Sequence, residues 1–212
     1  MLKIYGRATS YNVQKVMWLV AELGLPHQRI DVGGKFGGLD TPEFLAMNPN
    51  GKIPVIDDGG VIVWESNAIV RYLAAKYSLG QWCPADAGQR AQADQWMTWA
   101  SGELHAGVIG VFWNFFRTKE ANRDWALIRT CEQKCVTEYA LLERRLTSQP
   151  HLSGDHLTMG DIPAAGTLYR YFTMDIQRPN LPNVEAWYQR LSQRPAYREH
   201  VMVPYAELKD TL

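Results

Sequence analysis

Asn48-Pro49-Asn50-Gly51-Lys52-Ile53-Pro54-Val55-Ile56-Asp57-Asp58-Gly59-Gly60-Val61-Ile62-Val63-Trp64-Glu65-Ser66-Asn67-Ala68-Ile69 is the stretch that decides the fold. Residues 48–51 carry turn chemistry. Residues 53–56 and 61–64 read as two short strands, and residues 57–60 between them as a hairpin turn. Ile69, Val70, Leu73 and Tyr77 then recur at helical spacing, which predicts a helix starting near Glu65. On the N-terminal side, residues 2–5 alternate as a strand and residues 6–11 form a loop. From Asn12 onward Val13, Val16, Met17 and Val20 follow a helical period until Gly24 and Pro26 stop it. Residues 27–32 read as a second strand, with Ile30 and Val32 on one face. Strand, helix and strand within about thirty residues make a βαβ unit. A glycine-rich loop (33–38) follows. Thr41 then precedes Pro42, an N-cap with proline at the first helical position, which predicts a short helix. The order βαβαββα over residues 1–77 predicts an α/β domain whose mixed sheet is covered by helices.

Residues 78–88 change character: Gly80, Pro84 and Gly88 break any period, as in a linker. Strand patterns vanish beyond it, so residues 89–212 are expected to be all-α. Trp96 to Phe115 mark one long helix, Ile128 to Leu146 a second, Ile162 to Phe172 a third and Val184 to Leu191 a fourth, and Pro195 opens a short last one. Thr158-Met159-Gly160-Asp161 precedes the third of these as a capping-box arrangement, a folding motif rather than a catalytic one.

Composition narrows the function classes. Of 212 residues 46% are hydrophobic and 11% aromatic, enough for a core. Lys plus Arg and Asp plus Glu are both 22, so the basic excess of a phosphate-neutralising nucleic-acid binder is missing. No apolar run approaches the ~20 residues of a membrane span, and the N-terminus does not read as a signal peptide. Three cysteines make no even disulfide framework, so a cytoplasmic location is expected. Cys131 and Cys135 lie one helical turn apart and read as core residues or surface thiols, not as a redox pair.

Three local features carry chemistry. Ser10 stands just before the first helix, where backbone N–H groups are unpaired and the helix dipole is positive. A hydroxyl there either caps the helix or donates to an anion resting on its end. A thiol bound at that point would have its pKa lowered by the same field. Lys52-Ile53-Pro54 is the second. If the Ile53–Pro54 bond is cis, the Ile53 N–H and C=O point outward to pair with a peptide-like ligand. Lys52 beside it suits a carboxylate. At Trp64-Glu65-Ser66, the third, the helix start at Ser66 suits an α-carboxylate and Glu65 an α-ammonium. Together they describe a short peptide with a thiol in its middle and carboxylates at both ends, a description that glutathione fits.

With Ser10-Tyr11-Asn12-Val13-Gln14-Lys15-Val16, Glu22-Leu23-Gly24-Leu25, Pro42-Glu43-Phe44-Leu45, residues 48–55 and residues 64–69 in this order, the chain resembles cytosolic glutathione S-transferases over essentially its whole length. The resemblance is to serine-type bacterial members, phi- or theta-like. It implies a thioredoxin-like N-terminal domain, an all-α C-terminal domain, a homodimer, and reduced glutathione as co-substrate with no permanently bound cofactor and no metal. It gives the thiolate-stabilising role to Ser10. In a related class with disulfide reductase activity Ser10 and Asn12 meet the sulfur together; Thr9, Tyr5 and Tyr11 remain further candidates. Glutathione contacts are implied for Lys52, Ile53, Pro54, Glu65 and Ser66, with Lys35 as a further basic residue. A hydrophobic electrophile is expected against the long helix, near Phe112, Trp113, Phe116, Tyr169 and Tyr11. The alternatives to conjugation are a glutathione-dependent disulfide reductase and a non-catalytic ligand-binding module of the same fold.

Overall fold

The computed structural model describes residues 1–212. The chain divides into two compact units, one of Met1–Cys83 with Pro195–Val203 and one of Pro84–Arg194 with Pro204–Leu212.

The first unit is built on a four-stranded sheet in the order β2-β1-β3-β4. β1 (Leu2–Tyr5) pairs in parallel with β2 (His27–Ile30), Leu2 opposite His27. On its other side it pairs antiparallel with β3 (Val55–Asp58), Tyr5 opposite Val55. β3 continues into β4 (Val61–Trp64) as a hairpin in which Asp58 faces Val61. The turn is therefore Gly59-Gly60 alone, both at positive φ, two residues shorter than residues 57–60. β2 also ends at Ile30, so Val32 lies beyond the ladder.

α1 (Tyr11–Glu22) starts at Tyr11, one residue earlier than its period predicts, because Ser10 is its N-cap. Residues 11 and 13–20 of α1 are all buried. A helix covered on nearly every side needs more than a sheet beneath it. α1 packs on α3 (Ser66–Tyr77) and on α9 (Pro195–His200), where Trp18 meets Tyr197 edge to face at 5.0 Å. This is why Pro195–Val203 joins the first unit, although the sequence alone predicts one all-α domain over residues 89–212. α2 (Pro42–Met47) begins as predicted, with Thr41 Oγ1 accepting from the Phe44 N–H at 3.3 Å.

The second unit is all-α. Its long helix is continuous but not uniform: α4 (Ala87–Trp99), a π turn (Ala100–Leu104), α5 (His105–Val111) and a second π turn (Phe112–Arg117). α6 (Trp125–Leu146), α7 (Ile162–Thr173) and α8 (Pro182–Ser192) complete the bundle. No helix is long and apolar enough to cross a membrane.

α5 and α6 touch through small residues. A Cβ at Gly107 would lie 3.1 Å from both the Cys135 backbone N and its Sγ. The two cysteines are thus part of this seam, free of disulfides, and burial pushes the Cys135 thiol up to about 12. Gly107→Val is expected to lower stability by about 1–3 kcal/mol through overpacking at a backbone contact. Chemical denaturation measures it, and an unchanged midpoint would remove the seam argument.

Candidate functional site

The three features of the sequence lie at the N-terminal end of α1, in the turn before β3 and at the N-terminal end of α3. Ser10 has extended backbone angles (φ −84°, ψ 121°), and its C=O accepts from the Gln14 N–H at 2.9 Å. Its hydroxyl makes no capping hydrogen bond. The local preference for a serine cap is therefore not realised, and the hydroxyl and the positive end of a twelve-residue helix both stay available to an anion.

Asn12 lies in the first turn of α1, and its Oδ1 accepts from the Ser66 hydroxyl at 3.2 Å. The bond joins the first turns of α1 and α3, 54 residues apart. Ser66 itself is buried, so its hydroxyl is spent on Asn12 while its backbone N–H, at the head of α3, has no helical partner. Glu65 is exposed and stands at φ 67°, ψ 111°, in the left-handed region that disfavours residues with a Cβ. Such strain persists where the surroundings over-determine it, and it gathers at ligand-binding positions.

The Ile53–Pro54 peptide is cis. Ile53 precedes β3, and neither its N–H nor its C=O makes a backbone hydrogen bond within the chain. Asn48 shapes this approach: its Nδ2 donates to the Lys52 C=O at 2.8 Å and its Oδ1 accepts from the Asn50 N–H at 3.0 Å. Lys52 is exposed beside it. Lys35 lies in a short 3-10 turn (Gly34–Phe36), exposed, with its ammonium 5.5 Å from the Phe36 ring centre. A cavity of about 390 Å³ separates that glycine loop from the 49–51 turn, lined by Gly34, Leu39, Leu45, Pro49 and Gly51 among others.

The aromatic residues divide between the units. Phe112, Phe116 and Tyr169 form one cluster in the second unit, all against Tyr205 (centroids 5.5, 4.9 and 5.8 Å). The Arg170 guanidinium lies 4.3 Å from the Phe112 ring centre. Trp113 stands outside this cluster: it is exposed and pairs with Arg117 at 4.8 Å. Phe112 and Phe116, four residues apart, stack on one side at 5.4 Å between centroids, while the intervening Trp113 turns away. Tyr11 belongs to the first unit, buried under the Lys15 ammonium at 4.9 Å. Tyr205, Lys15 and Asn67 escaped the sequence reading as site residues. Tyr205 lies outside any long helical period. Lys15 had one visible signal, a lone cation within an otherwise buried apolar helix.

Known proteins share this chain's sequence and fold. Residues 1–75 match the glutathione S-transferase N-terminal domain family and residues 104–195 the glutathione S-transferase C-terminal domain family. Glutathione S-transferase GstB of Escherichia coli K12 is 40% identical over 206 residues, covering 96% of this chain and 99% of that one. Glutathione S-transferase 3 of Zea mays is 31% identical over 208 residues, covering 94% and 93%. Among solved structures, a theta-class glutathione S-transferase from Xanthomonas axonopodis pv. citri with glutathione bound superposes with a TM-score of 0.92. It is 44% identical, with 96% of this chain and 98% of that one covered. A thioredoxin-like unit with a mixed four-stranded sheet, an all-helical unit, and these matches over nearly the whole length establish that the chain belongs to the glutathione S-transferase family.

Proposed function

We propose that the chain binds reduced glutathione along the edge formed by Ser10, Ile53 and residues 65–66 and activates its thiol for attack on an electrophilic small molecule. The observation that carries this reading is the Ser10 hydroxyl, which stands at a helix N-terminus and caps nothing. A free thiol titrates near ~8.5 and is mostly protonated at neutral pH. The hydroxyl and the α1 dipole favour the thiolate, and two pKa units correspond to about 2.7 kcal/mol of preferential stabilisation. The thiol proton passes to solvent. The thiolate sulfur then bonds to the electrophilic carbon as the leaving group departs with its electron pair. Ile53 offers backbone pairing to the cysteinyl unit, Lys52 and Lys35 charge for the glycyl carboxylate, and the residues 65–66 corner the γ-glutamyl end. Phe112, Phe116, Tyr169 and Tyr205 supply the apolar surface for the electrophile. A cytoplasmic homodimer is part of this reading; a monomer mass by size exclusion removes the dimer.

One observation supports a second reading. The Asn12 Nδ2 has no hydrogen-bond partner, which leaves it able to join Ser10 at a sulfur, as a glutathione-dependent disulfide reductase requires. The test is a paired assay with reduced glutathione, one arm an activated aryl halide and the other a small mixed disulfide with a coupled reductase. Thioether formation supports conjugation. Disulfide turnover alone supports the second reading. The absence of glutathione binding overturns both.

Glu65→Gly separates fold from ligand at this corner. Glycine relieves a positive φ that costs on the order of 1–3 kcal/mol for other residues, while giving back part of that in chain entropy. The expected variant melts no lower than the parent, yet its KM for glutathione rises roughly tenfold, since a charge-assisted contact is lost. A lower melting temperature with an unchanged KM would show that Glu65 serves the fold alone.

A further inference from the structure

Lys15 is the one charged side chain buried within α1, and the mechanism above makes no use of it. Only 3% of it is exposed. Its ammonium donates to Asn67 Oδ1 at 3.0 Å and lies 4.9 Å from the Tyr11 ring centre. An ammonium has three N–H bonds, so this one has donors left over after its single hydrogen bond. Burying a cation with so little compensation is costly unless an opposite charge arrives.

Its position shows where that charge would come from. Asn12 and Lys15 are neighbours on one face of α1, three residues apart. They bond Ser66 and Asn67, consecutive residues in the first turn of α3. Two rungs therefore tie the start of α1 to the start of α3, and the second is charged. Glu65, just before α3, draws Lys15 toward its charged form, while Arg71 within α3 opposes it.

We propose that Lys15 is a positioning residue for the γ-glutamyl end of glutathione. It holds Asn67 and so sets the first turn of α3, and it supplies the buried positive charge that the incoming α-carboxylate neutralises. The inference rests on the glutathione reading of residues 65–66. It predicts a coupling between ligand and proton. Burial lowers the Lys15 pKa from its ordinary value to about 7, so the ligand-free protein holds this lysine divided between its two forms near neutrality. A carboxylate at the head of α3 favours the charged form, so binding takes up a proton and weakens as pH rises through 7.

The experiment is calorimetric titration of the wild type, Lys15→Met and Lys15→Arg with S-methylglutathione between pH 6 and 8.5. The thioether has no thiol proton to confuse the balance. The wild type is expected to bind roughly tenfold more weakly at the top of this range than at the bottom, and to take up protons when buffers of different ionisation enthalpy are compared. Lys15→Met is expected to bind weakly at every pH. Lys15→Arg, whose guanidinium does not titrate, is expected to restore binding and to flatten the profile. A flat wild-type profile, or a Lys15→Arg profile that follows the wild type, overturns the proposal even if Lys15→Met fails to fold. Binding by all three proteins with one common profile overturns it while leaving the glutathione reading intact. No binding by the wild type overturns that reading and this one together.

Discussion

Ser10→Ala is expected to lower kcat/KM for conjugation by roughly 10²–10³-fold, the range for removing one preorganised donor from a developing or bound anion. Its stability should be nearly unchanged. An N-cap serine whose hydroxyl bonds a first-turn N–H loses about 0.5–2 kcal/mol on replacement by alanine. Here that bond does not exist, and the backbone bond from Gln14 N–H to the Ser10 C=O survives the substitution. The pairing of a large kinetic loss with a silent melt is what distinguishes an anion donor from a cap. The same variant should raise the apparent pKa of bound glutathione, read from thiolate absorbance against pH, toward the ~8.5 of a free thiol. The helix dipole remains, so the shift toward that value is incomplete. An unchanged thiol pKa and rate would transfer the role to Asn12 or Thr9. Asn12→Ala then becomes the informative variant, with the complication that it also breaks the 3.2 Å bond to Ser66.

Asp161→Ala is expected to have the opposite profile, a large loss of stability from a residue assigned to folding. The residue is fully buried ahead of α7. Its Oδ1 accepts from the Leu152 N–H at 2.8 Å and its Oδ2 from the Thr158 N–H at 3.0 Å. The capping-box expectation is met in one direction only: Asp161 Oδ2 takes the Thr158 N–H, but the Thr158 Oγ1 accepts from the Gly160 N–H at 3.2 Å instead of from Asp161, because the helix begins later, with Asp161 itself as the N-cap of α7. Alanine would leave two buried backbone N–H groups without acceptors, at about 1–3 kcal/mol each. At about 2–4 °C per kcal/mol for a chain of this size, the melting temperature should fall by roughly 5–20 °C. Gly160 tightens the same corner: a Cβ there would lie 2.7 Å from the Ala93 C=O oxygen, so the turn cannot relax toward α4. A melt within a degree of the wild type would show that the motif is dispensable.

The charge state of this corner has a sign that can be checked. Burial raises the Asp161 carboxyl to about 6, against the pull of its donors. The folded state therefore binds more protons than the unfolded state between about pH 4 and 6, and this group's contribution to stability falls as pH rises through that window. His151, with Nδ1 at 4.0 Å from Asp161 Oδ1, is lowered to about 4 by burial and by Arg190 and Arg194. Its contribution rises with pH over the same range. The two oppose each other, so Asp161→Asn should make stability climb more steeply with pH between 4 and 6 than in the wild type. Denaturant midpoints at several pH values measure it.

How much of this was legible before the tertiary structure depends on the range of the interaction. Turn chemistry at residues 48–51 and 57–60, the proline at Thr41-Pro42 and the change of period at Asn12 and Ile69 are local, and they determined the element order, the mixed sheet and the placing of Ser10 at a helix start. The family resemblance followed from the same short segments. What only the tertiary structure decided are pairings between residues distant in sequence. Whether Ser10 caps its helix depends on backbone angles set by packing, not on its identity. Asn12 with Ser66 and Lys15 with Asn67 bond across more than fifty residues, and no period in either helix encodes the other. The membership of Pro195–Val203 in the first unit follows from α1 needing cover on a further side, which its apolar pattern implies without naming the partner. The convergence of Phe112, Phe116 and Tyr169 on Tyr205 is of the same kind: helical spacing puts 112 and 116 on one face, but their shared partner comes from a segment distant in sequence that has no helical period of its own.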